Sequence, residues 1–167
     1  MKVLLKNEEI VEICKKIGKE ISEKFQDKCP VVVCVLKGAA PFHSELIKHI
    51  EIDMEVDYIQ VSSYSGTNST GILTFKKDLE TNIKGRDVIV VEDIVDTGFT
   101  LKNLKAKLEE REPNSITTIT LLDKPSRREV DVEADYVGKT IDNLFVIGFG
   151  LDLDEKYRNL KDVCYFE

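Results

Sequence analysis

Residues 88–101 read VIVVEDIVDTGFTL. The opening run is β-branched and apolar, the pattern of a strand buried on both faces of a parallel sheet. It ends in Glu92 and Asp93; a third acid follows at Asp96, then Thr97, Gly98 and Thr100, and Leu101, Leu104 and Leu108 carry a helical period onward. In open parallel sheets, ligands sit beyond the carboxyl ends of the strands. A helix start offers unpaired N–H groups and about half a positive charge. Thr97 and Thr100 add hydroxyls and Gly98 lets the backbone come close, so the segment is a phosphate cradle. Its carboxylates suit another part of the same ligand, because they accept hydrogen bonds from sugar hydroxyls and hold Mg²⁺. Taken singly, Asp96 and Thr97 read as helix caps and Glu92–Asp93 as a solvated strand end. Their concentration in one segment after a buried strand points to a site.

Outward from this segment, strands and helices alternate. PVVVCVLKG (30–38) and SITTITLLDK (115–124) read as further buried strands, and NLFVIGFGLD (143–152) as the last. IDMEVDYIQVSSY (52–64) and ILTFKKDL (72–79) are strands joined by the loop SGTNSTG (65–71). A helix is expected over 7–26, with Asn7 as its cap, Glu8 and Glu9 in its first turn, and Ile10, Ile13, Cys14, Ile17, Ile21 and Phe25 as its apolar stripe. A second is expected over 41–50. With no repeat and no linker, the expectation is one α/β domain over 1–167, a mainly parallel twisted sheet flanked by helices.

The bulk properties exclude several classes. A chain of 167 residues, 42% hydrophobic and 33% charged, has the balance of a globular domain with a core. No apolar run is long enough for a bilayer. The start MKVLLKNEEI lacks the shape of a leader, since acids follow at once; a cytoplasmic protein without a membrane partner is expected. A net charge of −7 disfavours a nucleic-acid partner, which needs a basic face. Cys14, Cys29, Cys34 and Cys164 form no CxxC pair or zinc spacing and read as buried reduced thiols. His43 and His49 do not share a helix face as an i, i+4 ligand pair would. GTNSTGIL (66–73) has the glycine spacing of a P-loop, but Ile72-Leu73 stand where Lys-Ser/Thr is needed.

VVEDIVDTGFT (90–100) resembles the ribose-phosphate signature of type I phosphoribosyltransferases, which use phosphoribosyl pyrophosphate (PRPP). VLKGA (35–39), SSYSGTNSTG (62–71), LLDKPSRR (121–128) and FVIGFGLDLDEKYRNL (145–160) are similar, in order, to segments of the hypoxanthine-guanine phosphoribosyltransferase family. The resemblance covers roughly residues 8–166. It implies the type I phosphoribosyltransferase fold, with a small hood subdomain mainly about 124–167 and a flexible catalytic loop about 62–72 carrying Ser63 and Tyr64. It implies transfer of the phosphoribosyl group to a 6-oxopurine, by a homodimer or homotetramer.

By the same resemblance, Glu92 and Asp93 serve the ribose hydroxyls, and Asp96, Thr97, Gly98, Phe99 and Thr100 hold the 5′-phosphate. Asp96 also faces N7 of the purine as the catalytic acid-base group. Lys37, Gly38 and Arg158 meet the pyrophosphate. Ile94, Lys124, Phe145, Val146 and Asp152 line the purine pocket. Mg²⁺ is served by Glu92, Asp93 and Asp152. The Leu36–Lys37 bond is one that can be cis in the family. Phe99 stands where the family can carry a lysine, but the cradle uses backbone N–H there. Without the resemblance, Lys124 reads as a surface lysine, Phe145 as core, Asp152 and Asp154 as caps, and Arg158 as the partner of a surface acid. Two alternatives share the fold: a PRPP-sensing regulatory binder, which needs a basic surface or an added domain, and an enzyme for another base. Lys124 favours a 6-oxo group, because an ammonium only donates hydrogen bonds.

Overall fold

The order of elements in the computed structural model, which describes residues 1–63 and 73–167, is β1 (Lys2–Leu5), α1 (Asn7–Lys24), β2 (Val31–Leu36), α2 (Ala40–Ile47), β3 (Glu55–Ser63), β4 (Leu73–Lys77), β5 (Asp87–Val95), α3 (Phe99–Glu109), β6 (Ser115–Asp123), β7 (Tyr136–Thr140), β8 (Val146–Ile147) and β9 (Val163–Tyr165). Six strands form one sheet in the order β4-β3-β2-β5-β6-β7, parallel throughout except for the β3–β4 pair. The two-residue period of β2 and β5 divides their apolar side chains between two layers. Val32, Ile89 and Val91 pack with Ile10, Cys14, Ile17 and Ile21 of α1 and Phe42 and Leu46 of α2. Val31, Val33, Val88 and Val90 pack on the other face with Leu104 and Leu108 of α3. Each fully buried Ile or Leu contributes roughly 1.5–3 kcal/mol, so the central strands are held from both sides. The register sets Val95 beside Asp123 and Leu36 beside Gln60, which brings the carboxyl ends of β2, β3, β5 and β6 to one edge.

A second, antiparallel sheet has the order β1-β9-β8. Its strands are too short for periodicity to reveal, and β1 and β9 went unpredicted, as did β7. The expected long strand over 143–152 is only Val146–Ile147. Left-handed backbone at Gly148, Phe149 and Gly150 ends it, and the chain folds back through a Gly148–Leu151 bridge. Asn7 is not the cap of α1; Lys6 holds that position, and Glu9 accepts its backbone N–H at 2.8 Å. Asn7 instead donates from its backbone to Asp162 Oδ1 at 2.8 Å. Helix α2 stops at Ile47. Cys29 is exposed rather than buried; all four thiols are free. His43 is buried, its Nε2 3.2 Å from the carbonyl oxygen of Val32, and burial lowers its pKa. The expected loop of 62–72 lies outside the described residues from Tyr64 on. No described helix is long and apolar enough to cross a membrane.

Asp57 ties the β4–β5 connection to the sheet. Oδ1 accepts the N–H of Tyr58 at 2.8 Å, and Oδ2 accepts those of Glu80 and Thr81 at 3.0 and 2.9 Å. Burial opposes its charge, but the N–H groups led by Thr81 outweigh it and hold the carboxyl below its usual range. Asp57→Asn turns an NH₂ toward at least one of these donors. It is expected to lower stability by about 1.5–3 kcal/mol at pH 7. A depressed carboxyl pKa stabilises fully above the unfolded value of about 3.9 and is lost as pH falls through the folded value. The deficit should therefore shrink in acid, which urea titrations of both proteins at neutral and acidic pH will measure.

Candidate functional site

The continuous apolar run of β5 carries the chain through the core and releases it at the sheet edge with Glu92 buried and Asp93 partly buried. Burial, with the neighbouring Asp93 charge added, pushes the Glu92 carboxyl well up. Burial also pushes Asp93 up to about 6, against the N–H of Ile94, which Oδ1 accepts at 2.8 Å, and the nearby Arg158; Asp152 adds to the upward push. Gly38 follows the cis Leu36–Lys37 bond and lies directly against the Asp93 carboxylate, so that a methyl group there would overlap it. The Gly150 backbone, at φ +97°, packs in turn on the carbonyl of Gly38.

Three residues on, Asp96 stands at the turn into α3. Gly98 caps the helix at φ +92°, a conformation that favours glycine, and the first-turn N–H groups of α3 face outward without intrahelical partners. Glu92 to Gly98 with Thr100 and Leu101 line a cavity of about 260 Å³. This is room for a phosphate and part of a sugar. Arg127 Nε donates to Asp96 Oδ1 at 3.1 Å, and the Lys124 ammonium lies 3.8 Å from Oδ2. Lys124 is buried, not solvated.

Arg128 fixes this arrangement. Its guanidinium donates to Asp123 Oδ1 at 2.5 Å and to the carbonyls of Asp96 at 2.7 Å and Val132 at 2.9 Å. The 124–132 segment is thereby clamped over the acidic turn, with Arg128 and Val132 filling the space beside Gly98.

The other expected residues fall into two groups. Asp152 and Arg158 reach the Asp93 side of the edge: Arg158 Nη1 donates to the carbonyl of Gly150 at 2.7 Å, and Nη2 lies 3.4 Å from Asp152 Oδ1. Asp152 caps no helix; its Oδ2 accepts the N–H of Glu155 at 2.9 Å. Arg158 pairs with an exposed acid as well, donating to Glu155 Oε1 at 2.9 Å, and Glu155 Oε2 accepts from Lys37 Nζ at 2.8 Å. These two cations, Lys37 first, hold the Glu155 carboxyl below its usual range. Val146 is buried, and Ile94 is packed against the same core. Phe145, by contrast, is 58% exposed, so it is not core. Ser63 ends β3, and Tyr64 lies outside the described residues. As a cage made of protein alone, Glu92, Asp93 and Asp152 fail: among the described residues no three acidic, Cys or His side chains converge to hold a metal. Sequence reasoning missed Arg127, Arg128 and Glu155. The paired arginines after LLDKPS were a signal in plain view; a single glutamate among the charges of LDLDEKYR was not.

The phosphoribosyl transferase domain family model matches residues 1–154. The chain is 51% identical over 160 residues to the hypoxanthine-guanine phosphoribosyltransferase of Streptococcus pneumoniae, covering 95% of this chain and 89% of the relative. Its fold superposes on a hypoxanthine phosphoribosyltransferase from Staphylococcus aureus with a TM-score of 0.97 at 46% identity, covering 100% of this chain and 91% of that one. A hypoxanthine-guanine phosphoribosyltransferase from Bacillus anthracis gives 0.96 at 42% identity, covering 100% and 99%.

The elevated carboxyls make a stability prediction. A carboxyl whose folded pKa is raised stabilises fully below the unfolded value and progressively less as pH rises to the folded one. For Asp93 that window runs from about 3.9 to about 6. Asp93→Asn should therefore be more stable than the parent at pH 8 in chelator, by on the order of 1–3 kcal/mol, and show little advantage at pH 4. Calorimetry across that range decides it.

Proposed function

This chain belongs to the phosphoribosyl transferase family, and from that premise we propose that it transfers the 5-phosphoribosyl group of PRPP to hypoxanthine or guanine, giving IMP or GMP and pyrophosphate. The observation that carries the reading is the Asp96 carboxylate at the start of α3, with the buried Lys124 ammonium 3.8 Å away, at the lip of the phosphate-sized cavity. An acid that accepts a proton beside a cation that only donates fits the N7–C6 oxygen edge of a 6-oxopurine. An amino group at C6 would meet the ammonium donor to donor.

The steps assigned to the chain follow. The N–H groups and hydroxyls from Asp96 to Thr100 hold the 5′-phosphate, and Glu92 and Asp93 accept from the ribose hydroxyls. Phe145, Ile94 and Val146 flank the base, the exposed ring of Phe145 being available for stacking. As the bond from the anomeric carbon to pyrophosphate breaks and the bond to N9 forms, Arg158, Lys37 and the backbone at Gly38 neutralise the departing charge. Asp96 takes up the N7 proton and strengthens the nucleophile. Ser63 and Tyr64 belong to the loop assigned to cover the site and exclude water.

The donor set fits Mg²⁺. Glu92 and Asp93 are hard oxygen ligands whose pKa values are raised, the state a divalent cation relieves, and Asp152 is near enough to Asp93 to be felt. Mg²⁺ is typically held by one or two carboxylates together with water and substrate oxygens, so no closed cage is required. When bound it supplies charge to the PRPP oxygens. Val56 and Tyr58 lie exposed along β3 and support self-association into a homodimer or homotetramer. Soluble phosphorylated substrates fit a cytoplasmic enzyme.

Incubation with PRPP, Mg²⁺ and each of hypoxanthine, guanine, xanthine and adenine tests the reading; turnover of adenine in preference to the 6-oxopurines would refute it. Asp96→Asn should fold and bind PRPP almost normally, since Gly98 and not Asp96 caps α3, with at most a small fall in melting temperature from the weakened pairing to Arg127 and Lys124. Its kcat should drop about 10²–10⁴-fold, the range for a lost general base. A near-normal kcat would leave Asp96 as a structural residue only.

A further inference from the structure

The two cations assigned to pyrophosphate share one carboxylate. Glu155 Oε2 accepts from Lys37 Nζ at 2.8 Å, and Oε1 accepts from Arg158 Nη2 at 2.9 Å. Leu153 and Lys156 exchange both backbone hydrogen bonds, at 3.1 and 3.0 Å, which makes Asp154 and Glu155 the two central residues of a tight hairpin turn. Both have positive φ, 51° and 66°. Turns of this kind select Asn-Gly, and a glutamate in the second position adopts a backbone that L side chains disfavour. The side chain gains no burial in return; it is 64% exposed. What distinguishes glutamate at this position is its carboxylate, and among the described residues that carboxylate's hydrogen bonds go to Lys37 and Arg158.

We propose that Glu155 is a resident counter-ion. Its carboxylate occupies the place between Lys37 and Arg158 that the pyrophosphate group takes, leaves when that group binds and returns as it departs. The proposal rests on the assignment of Lys37 and Arg158 to pyrophosphate. One carboxylate lets two cations from distant parts of the chain stay close and aligned while no substrate is bound. It must be displaced before PRPP settles, and it competes with the pyrophosphate product. Exposed ion pairs are weak and screened by solvent, so the competition amounts to roughly a few-fold in affinity.

Glu155→Gln keeps the shape and removes the charge. With Mg²⁺ at low salt it should bind inorganic pyrophosphate roughly two- to fivefold more tightly and lower the KM for PRPP by a similar factor, while the KM for the purine stays the same. High salt should narrow the gap, because both competing attractions are screened. Glu155→Gly also removes the carboxylate and relaxes the turn; it should melt no lower than the parent and show the same tightening. Unchanged or weaker pyrophosphate binding in both variants overturns the counter-ion role. Arg158→Gln separates the two levels. A large loss of pyrophosphate affinity there, with no change in the Glu155 variants, leaves the site standing and removes the counter-ion. Undiminished affinity in Arg158→Gln removes the site assignment itself.

Discussion

Two adjacent carboxylates at the carboxyl end of a buried central strand set the terms for what surrounds them. Burial alone would drive Glu92 and Asp93 toward their neutral forms, and their proximity adds to the effect. The partial remedies are the N–H of the next residue, Ile94, and the charge of Arg158 from far along the chain. The close backbone of Gly38 walls Asp93 in. The central strands, packed on both faces, give the rigidity to keep these charges together. The site is thus an energetic debit held in place by the sheet.

Positioning on the other flank depends on Arg128 rather than on the residues that would meet a base. Its guanidinium joins the end of β6, the acidic turn and the returning chain at Val132. Lys124 and Arg127 are carried on the short segment so clamped, and this sets their distances to Asp96. A guanidinium suits the task because its planar fork has five donors to distribute among fixed acceptors.

The central sheet, apart from its edge strand β7, was legible because β2, β5 and β6 are long, apolar and β-branched, and because the acid-rich exit from β5 has a chemistry of its own. The small sheet was not. Strands of two to four residues carry no period, and what turns the chain after Ile147 is the left-handed backbone at Gly148–Gly150, inside a run that reads as one strand. Asn7 beside Lys6 shows a limit of a different kind: a capping residue type does not fix which residue caps, since Glu9 served from within the helix. At the site, the resemblance singled out Asp96, Lys124, Asp152 and Arg158, and the fold brings them to one edge. Arg128 and Glu155 act through tertiary partners that no local pattern encodes.

The small sheet also has a bearing on biosynthesis. Its middle strand is β9, near the end of the chain, pairing with β1 near the beginning and β8 shortly before. Every strand of the larger sheet precedes Arg158 and β9 in the chain and is translated before them. The acidic edge of β5 is therefore made ahead of the guanidinium that faces it. Residues translated later than the larger sheet bring both the charge of Arg158 and the strand that pairs with β1.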